Sequence, residues 1–390
     1  MAEASAFRAE VKSWLAAHCP DALRGSHERF DGGAKVAASP EFRRWFSACY
    51  ERGWTVPGWP KTYGGGALDR AQQRIVREEM AAYGAPPPLT GMGVTMIGPT
   101  ILEFGNEAQK QQHLTRIANG EVRWCQGYSE PGAGSDLASL STRAEDRGDY
   151  YAINGSKIWT SGADEADWIF CLVRTDPAAP KHDGISFVLF PMDQPGVTVR
   201  PIKLIAGSSD FCECFFDNAR AAKSDLIGQI HRGWTVAKRL LQHERSSISG
   251  PGGAFGPRTL LPENAKRYVG ARQDRIADVA TRAEVTAIDI DARAFALTQK
   301  RAVEENASGR TETFATSMFK YYSSELLRRR MEATIRFMGF KGAGWEGRGF
   351  SSEELDATRT WLFGKAMTIA GGSSEVQLNI IAKRVLGLPD

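Results

Sequence analysis

Two short segments carry residue types suited to holding a flat ring that makes hydrogen bonds. The first is WCQGYSEPGAGSD (residues 124–136), and the second, about twenty residues later, is KIWTSG (residues 157–162). Glycines 132 and 134 let main-chain amides approach a ligand closely, and Trp159 offers an aromatic face for stacking. Alone, these would be turn glycines and a core tryptophan, but their joint pattern predicts a site for a planar redox cofactor.

A glutamate placed among apolar residues is the second chemical candidate. At about 100° per residue, Glu244 falls in the middle of an apolar helical arc: Trp234, Val236, Ala237, Leu240, Leu241 and Ile248. Desolvation would raise the pKa of such a carboxyl group toward the range useful for a base at neutral pH. The alternative is a buried glutamate paired with an arginine from another helix.

The elements that must position these residues follow a helical, β, helical order. Apolar residues at helical spacing predict a helix at the start of the chain: Phe7, Val11, Trp14 and Leu15. From about Trp124 the pattern alternates, which predicts strands over 168–173, 185–190 and 197–200. Asn154-Gly155, between residues 151–153 and 156–159, predicts a β-hairpin.

Helical periodicity returns after Gly228. It begins at Gly233-Trp234 and runs through Glu244, and further helices are predicted over about 267–335, 352–366 and 374–386. Glycine-rich breaks separate them at 249–253 and 339–349.

Composition restricts the class of protein. The 390 residues, 42% of them hydrophobic, can form two or three domains with a large core, and a net charge of +3 does not favour a nucleic-acid or membrane partner. The six cysteines include no C-x-x-C pair and the six histidines are scattered, which favours reduced thiols and no metal site. With no apolar run near the roughly 20 residues of a membrane span, we expect a soluble, cytoplasmic protein without membrane insertion.

The two ring-binding segments resemble the signature of the acyl-CoA dehydrogenase family, flavoenzymes that desaturate acyl-CoA thioesters between the α and β carbons. The resemblance runs over nearly all 390 residues. It implies an α+β fold with an N-terminal α-helical domain (1–122), a middle β-sheet domain (123–228) and a C-terminal four-helix-bundle domain (229–390). FAD is the implied cofactor, held between the last two domains.

The resemblance also implies roles for individual residues. Ser129 and Ser161 match positions that offer hydroxyls to the flavin ring, and both are threonine in most members. Trp159 matches the tryptophan beside the ring, Tyr128 and Thr160 adjoin these cofactor positions, and Ser135 matches a contact to the thioester ligand.

The catalytic base is expected at a less common position. In many members it lies in a Tyr-Glu-Gly-Thr segment near the C-terminus, but the matching residues here are Ala370-Gly371-Gly372-Ser373, and Gly371 has no side chain to accept a proton. A smaller branch, similar to the isovaleryl and long-chain enzymes, has its base in a Glu-Arg pair on an earlier helix, which matches Glu244-Arg245. We therefore expect Glu244 to be the base, Arg245 to shape the pocket, and the Gly371 main-chain amide to donate to the thioester oxygen.

Other features leave the assembly open. Ser373 and Glu375 match a segment that reaches the cofactor, although Ser373 would equally suit a helix N-cap. The resemblance implies a homotetramer or dimer that passes electrons to an electron-transferring flavoprotein. The expected Arg before Phe-Gly is not found, however, and Arg336 replaces a Gln. Two alternatives follow: a non-catalytic or half-site subunit of a hetero-oligomeric acyl-CoA dehydrogenase, and a flavin-dependent acyl-thioester oxidase or lyase. The acyl group is not determined by the sequence.

Overall fold

A computed structural model of the chain describes residues 2–249, 261–307 and 315–389, and the side chains of residues 243–249 fall outside that description. Packing divides the chain into two compact units, Met1–Ile202 with Asp210–Leu240 and Lys203–Ser209 with Leu241–Asp390. The expected helical, β, helical order is confirmed.

The first unit begins with five α-helices: α1 (Ala2–His18), α2 (Pro40–Glu51), α3 (Arg70–Tyr83), α4 (Gly98–Phe104) and α5 (Glu107–Ala118). The side chains of Ser39, Asp69 and Asn106 each accept a main-chain N–H at the start of a helix, which satisfies a donor that the helix itself leaves free. The predicted first helix is confirmed, and its residues Val11 and Leu15 are fully buried in the core of these helices.

Eight strands then form one sheet: β1 (Trp124–Gly127), β2 (Arg143–Asp146), β3 (Tyr150–Ser161), β4 (Trp168–Arg174), β5 (Ile185–Pro191), β6 (Val197–Ile202), β7 (Phe211–Ala222) and β8 (Leu226–Ile227). Their order is β6-β7-β3-β2-β4-β5-β8, and β1 runs parallel to β4. The three strands predicted over 168–200 are confirmed, and β4 and β5 are the most completely buried, as their continuous apolar runs suggest.

The predicted hairpin at Asn154-Gly155 is wrong, because β3 continues through both residues and pairs along its length with β7. Asn154 instead accepts a 2.8 Å hydrogen bond from the main chain of Asn218, where the register with β7 shifts. A Cβ at Gly155 would lie 2.8 Å from Thr142. The glycine is therefore required by the close approach of a neighbouring strand and not by a chain reversal.

Helix α5 is joined to the end of the sheet through buried polar groups. Nε2 of His113 lies 2.9 Å from Oδ1 of Asp225. Nε2 of Gln109 donates to the carbonyl oxygens of Ser224 (2.6 Å) and Leu226 (2.8 Å). Buried polar groups need such partners, so the N-terminal helices and the sheet belong to one unit.

The second unit is mainly helical. Helix α6 (Gly233–Ser249) crosses from the first unit, and is followed by α7 (Leu261–Val269), the short strands β9 (Ala271–Arg272) and β10 (Arg275–Ile276), α8 (Val279–Ala307), α9 (Ala315–Met338), α10 (Ser352–Gly364) and α11 (Ser374–Ile380). The strand pair interrupts a region predicted as helical, because Gln273 and Asp274 adopt positive φ angles that reverse the chain. The Gly/Pro-rich break falls mostly within 250–260, outside the described residues.

Of the helices in the described ranges, none combines the length and the apolar composition that crossing a membrane requires.

Candidate active site

The loop after β1 is fixed by the buried carboxylate of Glu130. Its Oε2 accepts hydrogen bonds from the main chain and hydroxyl of Ser141 at 2.7 and 2.9 Å. Its Oε1 accepts from the main chain of Thr142 at 2.9 Å and from Nζ of Lys157 at 2.8 Å. Lys157 is fully buried and also donates to the Tyr128 carbonyl oxygen at 3.1 Å. Both ends of the 128–142 loop are thereby tied to β3.

Burial alone would raise the pKa of Glu130, because it disfavours the charged carboxylate. The Lys157 ammonium opposes this, aided by hydrogen bonds from Thr142 and Ser141, and the pKa of Glu130 is lowered to about 2. The Glu130 carboxylate is therefore ionised at neutral pH and holds the loop through charge-assisted hydrogen bonds.

A bulge in β3 turns Trp159 outward. Lys157 pairs with Cys214 and Thr160 with Cys212, so the two residues of β3 between these pairs, Ile158 and Trp159, oppose one residue of β7. Trp159 has φ of +62°, which is unfavourable for a bulky side chain, and 55% of its surface is exposed. It is not a core residue, and its ring meets Phe211 edge-on at 6.3 Å.

Four more of the predicted cofactor residues lie beside this bulge. The Ser129 carbonyl accepts a 2.9 Å hydrogen bond from the Ile158 main chain, and both Ser129 and Ser161 are half-buried. Thr160 and Tyr128 are buried, and the Tyr128 ring packs edge-on against Phe170 and Phe187. Thr160 pairs with Cys212 of β7, so it contributes to the sheet beside the bulge.

These residues fit a flavin ring. The exposed face of Trp159 and the hydroxyls of Ser129 and Ser161 are what a flat heterocycle with polar edges needs. A Cβ built at Gly132 or Gly134 would meet nothing within 4 Å. Ser135 is exposed on the same loop. The open space beside these glycines leaves room for a ligand at the loop.

The C-terminal loop forms a second set of predicted residues. Gly371 and Gly372 both adopt left-handed φ angles, +67° and +97°. Ser373 caps α11 by accepting from the Val376 main chain at 3.3 Å, and Glu375 is exposed in the first turn. The capping role proposed as an alternative for Ser373 is thus present.

The predicted base lies on α6, one turn after the buried Leu240, and the side chains of Glu244 and Arg245 lie outside the described residues. Val236, Ala237 and Leu240 are buried, as the apolar arc predicts. Arg336, the residue in place of the expected Gln, forms an ion pair with Glu284.

Comparison with protein families decides the identity. Three family descriptions match in order: the acyl-CoA dehydrogenase N-terminal domain over 1–121, middle domain over 125–219 and C-terminal domain over 231–386. The chain belongs to the acyl-CoA dehydrogenase family. It is an oxidoreductase of that type, and members of the family are flavoproteins.

Similar proteins cover nine-tenths or more of this acyl-CoA dehydrogenase. Acyl-CoA dehydrogenase IpdE1 of Mycobacterium tuberculosis is 38% identical over 100% of this chain and 99% of its own. Acyl-CoA dehydrogenase FadE34 of the same organism is 36% identical over 91% of this chain and 47% of its own length. Among solved structures, the Tcur3481-Tcur3483 steroid acyl-CoA dehydrogenase has a TM-score of 0.79 at 30% identity, covering 100% and 98% of the two chains. The ChsE4-ChsE5 complex of M. tuberculosis has a TM-score of 0.78 at 28% identity, with the same coverage.

Sequence reasoning missed two supports of the acyl-CoA dehydrogenase site. Glu130 and Lys157 lie inside the two quoted segments but 27 residues apart, and only the pairing of the loop with β3 brings them together. A lysine on the inward face of an apolar strand was the available signal, since lysine is almost never fully buried without a partner. Gln377, fully buried behind the Gly371–Gly372 turn, gave no such signal.

Proposed function

We propose that this acyl-CoA dehydrogenase uses FAD to introduce a trans double bond between the α and β carbons of an acyl-CoA thioester, with Glu244 as the base. The observation that carries the proposal is the main chain at the usual position of the base. Gly371 has no carboxylate, and its φ of +67° disfavours any side chain there. Leu240 is buried on α6, and Glu244 follows it four residues later in the same helix, a spacing of about one turn.

In this proposal Ser129, Trp159 and Ser161 hold the flavin ring, with main-chain groups of Tyr128 and Thr160 beside them. Ser373 and Glu375 contribute from the start of α11. When bound, FAD supplies the acceptor for the hydride that leaves the β carbon.

The chain's own residues manage the proton and the charge. The Glu244 carboxylate takes the proton from the α carbon, and the electron pair of that C–H bond becomes the new C=C bond. The main-chain amide of Gly371 donates to the thioester oxygen, where negative charge develops as the proton leaves. Ser135 and Arg245 contact the substrate and shape its pocket.

We further propose a bulky, polycyclic acyl group as the substrate. The support is the likeness over the whole chain to the solved structure of a steroid acyl-CoA dehydrogenase, Tcur3481-Tcur3483. A panel of butyryl-, isovaleryl-, octanoyl-, phenylpropionyl- and steroid-side-chain CoA thioesters, mixed anaerobically with the purified protein, would rank the substrates by the rate of flavin bleaching. Fastest bleaching by the steroid thioester is expected, and fastest bleaching by butyryl-CoA would contradict this choice.

The base is tested by Glu244→Gln. We expect a yellow, folded protein that binds thioester but bleaches about 10²–10⁴-fold more slowly, because only proton abstraction is removed. Glu263→Gln, an exposed glutamate on α7, is the control and should bleach at the wild-type rate. Bleaching of Glu244→Gln at that rate would reject Glu244 as the base.

A second candidate is a half-site subunit of a hetero-oligomer. Arg336, committed to Glu284, replaces the Gln expected from the family pattern, and two similar structures carry paired protein names. Purifying the chain alone distinguishes a half-site subunit from a homo-oligomer. A colourless protein that gains flavin only with a co-expressed partner would favour the half-site subunit. A yellow tetramer or dimer would favour the homo-oligomer.

The electron acceptor is tested separately. We propose an electron-transferring flavoprotein, so the bleached protein should reoxidise slowly in air and quickly with that acceptor. Fast reoxidation by oxygen would favour the oxidase alternative.

A further inference from the structure

The turn at Gly371–Gly372 is held from the buried side by a single amide. Nε2 of Gln377 donates to the Gly371 carbonyl oxygen at 3.2 Å, and the Gln377 side chain has no exposed surface. The two glycines before it have φ angles of +67° and +97°. Such angles are readily reached only by glycine, so without side-chain contacts of its own the turn depends on its neighbours.

The fit between Gln377 and the turn is tight. A Cβ at Gly372 would lie 2.4 Å from Nε2 of Gln377, so the amide occupies the space that a side chain at 372 would need. The start of α11 is fixed by a second contact, in which the Ser374 hydroxyl donates a hydrogen bond to Oε1 of Glu325 at 2.9 Å. That contact anchors the helix, whereas Gln377 alone reaches back to the turn among the described residues.

If the Gln377 side chain only filled space, its buried amide group would destabilise the fold. Its Oε1 is buried and has no hydrogen-bond partner within the described part of the chain. A buried acceptor without a partner destabilises a fold, and an apolar side chain of the same size would avoid that cost. The amide group therefore serves the one contact that it makes, to the Gly371 carbonyl.

That contact sets the direction of the main chain at the turn. In a trans peptide the carbonyl and the N–H point to opposite sides. With the Gly371 carbonyl directed at buried Gln377, the Gly372 N–H points away from it. The hydrogen bond restrains rotation about the backbone bonds of Gly371, whose own N–H is the proposed donor to the thioester oxygen.

We propose that Gln377 is a positioning residue for the dehydrogenation: it fixes the Gly371–Gly372 peptide so that main-chain amides of this turn are aimed at the thioester oxygen. The inference rests on the proposed function. In this chain the turn contributes no base, and its whole contribution is main-chain donors, whose alignment Gln377 maintains. Donors aligned before the reaction stabilise developing charge better than donors that must first reorient.

The first test measures the turn itself in the flavin-loaded protein without thioester. Gln377→Met keeps the length of the side chain but removes the donor. Amide hydrogen exchange in a peptide spanning 369–377 should accelerate about tenfold, because local opening of the turn becomes easier. Gln109→Met is the matched control, since Gln109 is also buried and also donates to main-chain carbonyls. It should leave exchange at 369–377 unchanged. Unchanged exchange in Gln377→Met would overturn the proposal.

The second test separates positioning from stability. With the panel thioester that bleaches wild type fastest, Gln377→Met should bleach about 10–100-fold more slowly at saturation, while half-saturation stays within about threefold. With the corresponding enoyl-CoA, labelled with carbon-13 at its carbonyl, the bound carbonyl stretch should move to higher frequency, because its hydrogen bonds weaken. Loss of affinity with an unchanged rate and an unchanged stretch would assign Gln377 to stability alone.

Gln377→Glu adds a pH signature. An ionised carboxylate cannot donate to the Gly371 carbonyl, but a protonated acid can. The bleaching rate of this variant, relative to wild type, should rise as the pH falls, whereas Gln377→Met should show no such rise. A ratio independent of pH for Gln377→Glu would count against the proposal.

Bleaching of the wild-type protein distinguishes failure of the proposed function from failure of this inference alone. If no thioester of the panel bleaches the wild-type flavin, both the proposed function and this inference are rejected. If wild type is bleached and Gln377→Met is indistinguishable from it, only this inference is rejected.

Discussion

The loop of residues 128–142 and the turn at Gly371–Gly372 are both predicted ligand sites, but the chain holds them by different means. The loop is fixed by an ion pair between two buried charged side chains, Glu130 and Lys157, with further hydrogen bonds to Ser141 and Thr142. The turn is fixed by one neutral amide, that of Gln377. The loop is therefore stabilised by an ion pair, and the turn is stabilised by a hydrogen bond from a neutral amide.

The difference follows from what each region must present. The loop and the bulge beside it present side chains, including an aromatic ring held at an unfavourable φ of +62°, and an anchor strong enough to offset that strain is needed. The turn presents only main-chain amides, and glycines adopt its φ angles without strain. A weaker anchor is sufficient there.

The largest expected effect comes from breaking the ion pair. Lys157→Met leaves the Glu130 carboxylate buried without its cation, which should lower the free energy of unfolding by about 3–5 kcal/mol and reduce the flavin content. Urea denaturation and the flavin-to-protein absorbance ratio measure the two effects. Lys181→Met, which removes an exposed ion pair with Asp136 of the same loop, should cost less than about 1 kcal/mol. Similar losses of unfolding free energy in both variants would contradict the claim that the buried ion pair fixes the loop.

Acid should weaken the loop anchor but not the neutral one. The pKa of Glu130 is lowered to about 2 in the folded chain from an ordinary 4.5, so its stabilisation is complete above pH 4.5 and is lost as the pH falls toward 2. The loss should reach at most roughly 3 kcal/mol. Urea denaturation at pH 6, 4.5 and 3.5 should show a steeper decline for wild type than for Glu130→Gln. Parallel declines would contradict the assigned role of this carboxylate.

The smallest effect on stability is expected at the ring that the loop supports. Because more than half of the Trp159 surface is exposed, Trp159→Ala should change the unfolding free energy of flavin-free protein by less than about 0.5 kcal/mol. Its flavin affinity should fall about tenfold, through the lost aromatic contact. Trp45→Ala, at a fully buried tryptophan, should instead cost about 3–5 kcal/mol. A large loss of stability in Trp159→Ala would mean that the ring supports the fold.

Periodicity was enough to predict the order of helices and strands, because burial of one face imposes a spacing that the sequence records. It failed at Asn154-Gly155, where the usual hairpin signal instead marks contact with Thr142 and Asn218 on neighbouring strands. The outward position of Trp159 was equally hidden, since a bulge depends on how two strands pair and not on either one alone.

For the candidate site, the residues proposed to face the ligand could be picked out of the sequence, but their supports could not. Ser129, Trp159 and Ser161 stand in recognisable segments, whereas Gln377 and the Glu130–Lys157 pair act through contacts between distant positions. Lys157 gave a local signal, as a lysine on the inward face of an apolar strand, whereas Glu130 and Gln377 are each compatible with an ordinary surface or core position.

The attachment of helix α5 to the end of the sheet limits where this protein could be cut. A fragment beginning at residue 123 would lose Gln109 and His113, leaving the carbonyls of Ser224 and Leu226 and the carboxylate of Asp225 without the partners that now satisfy them. Such a fragment would expose unpaired polar groups together with apolar surface, and it should be prone to aggregate. The middle segment therefore depends on the helices before it for partners to its buried polar groups.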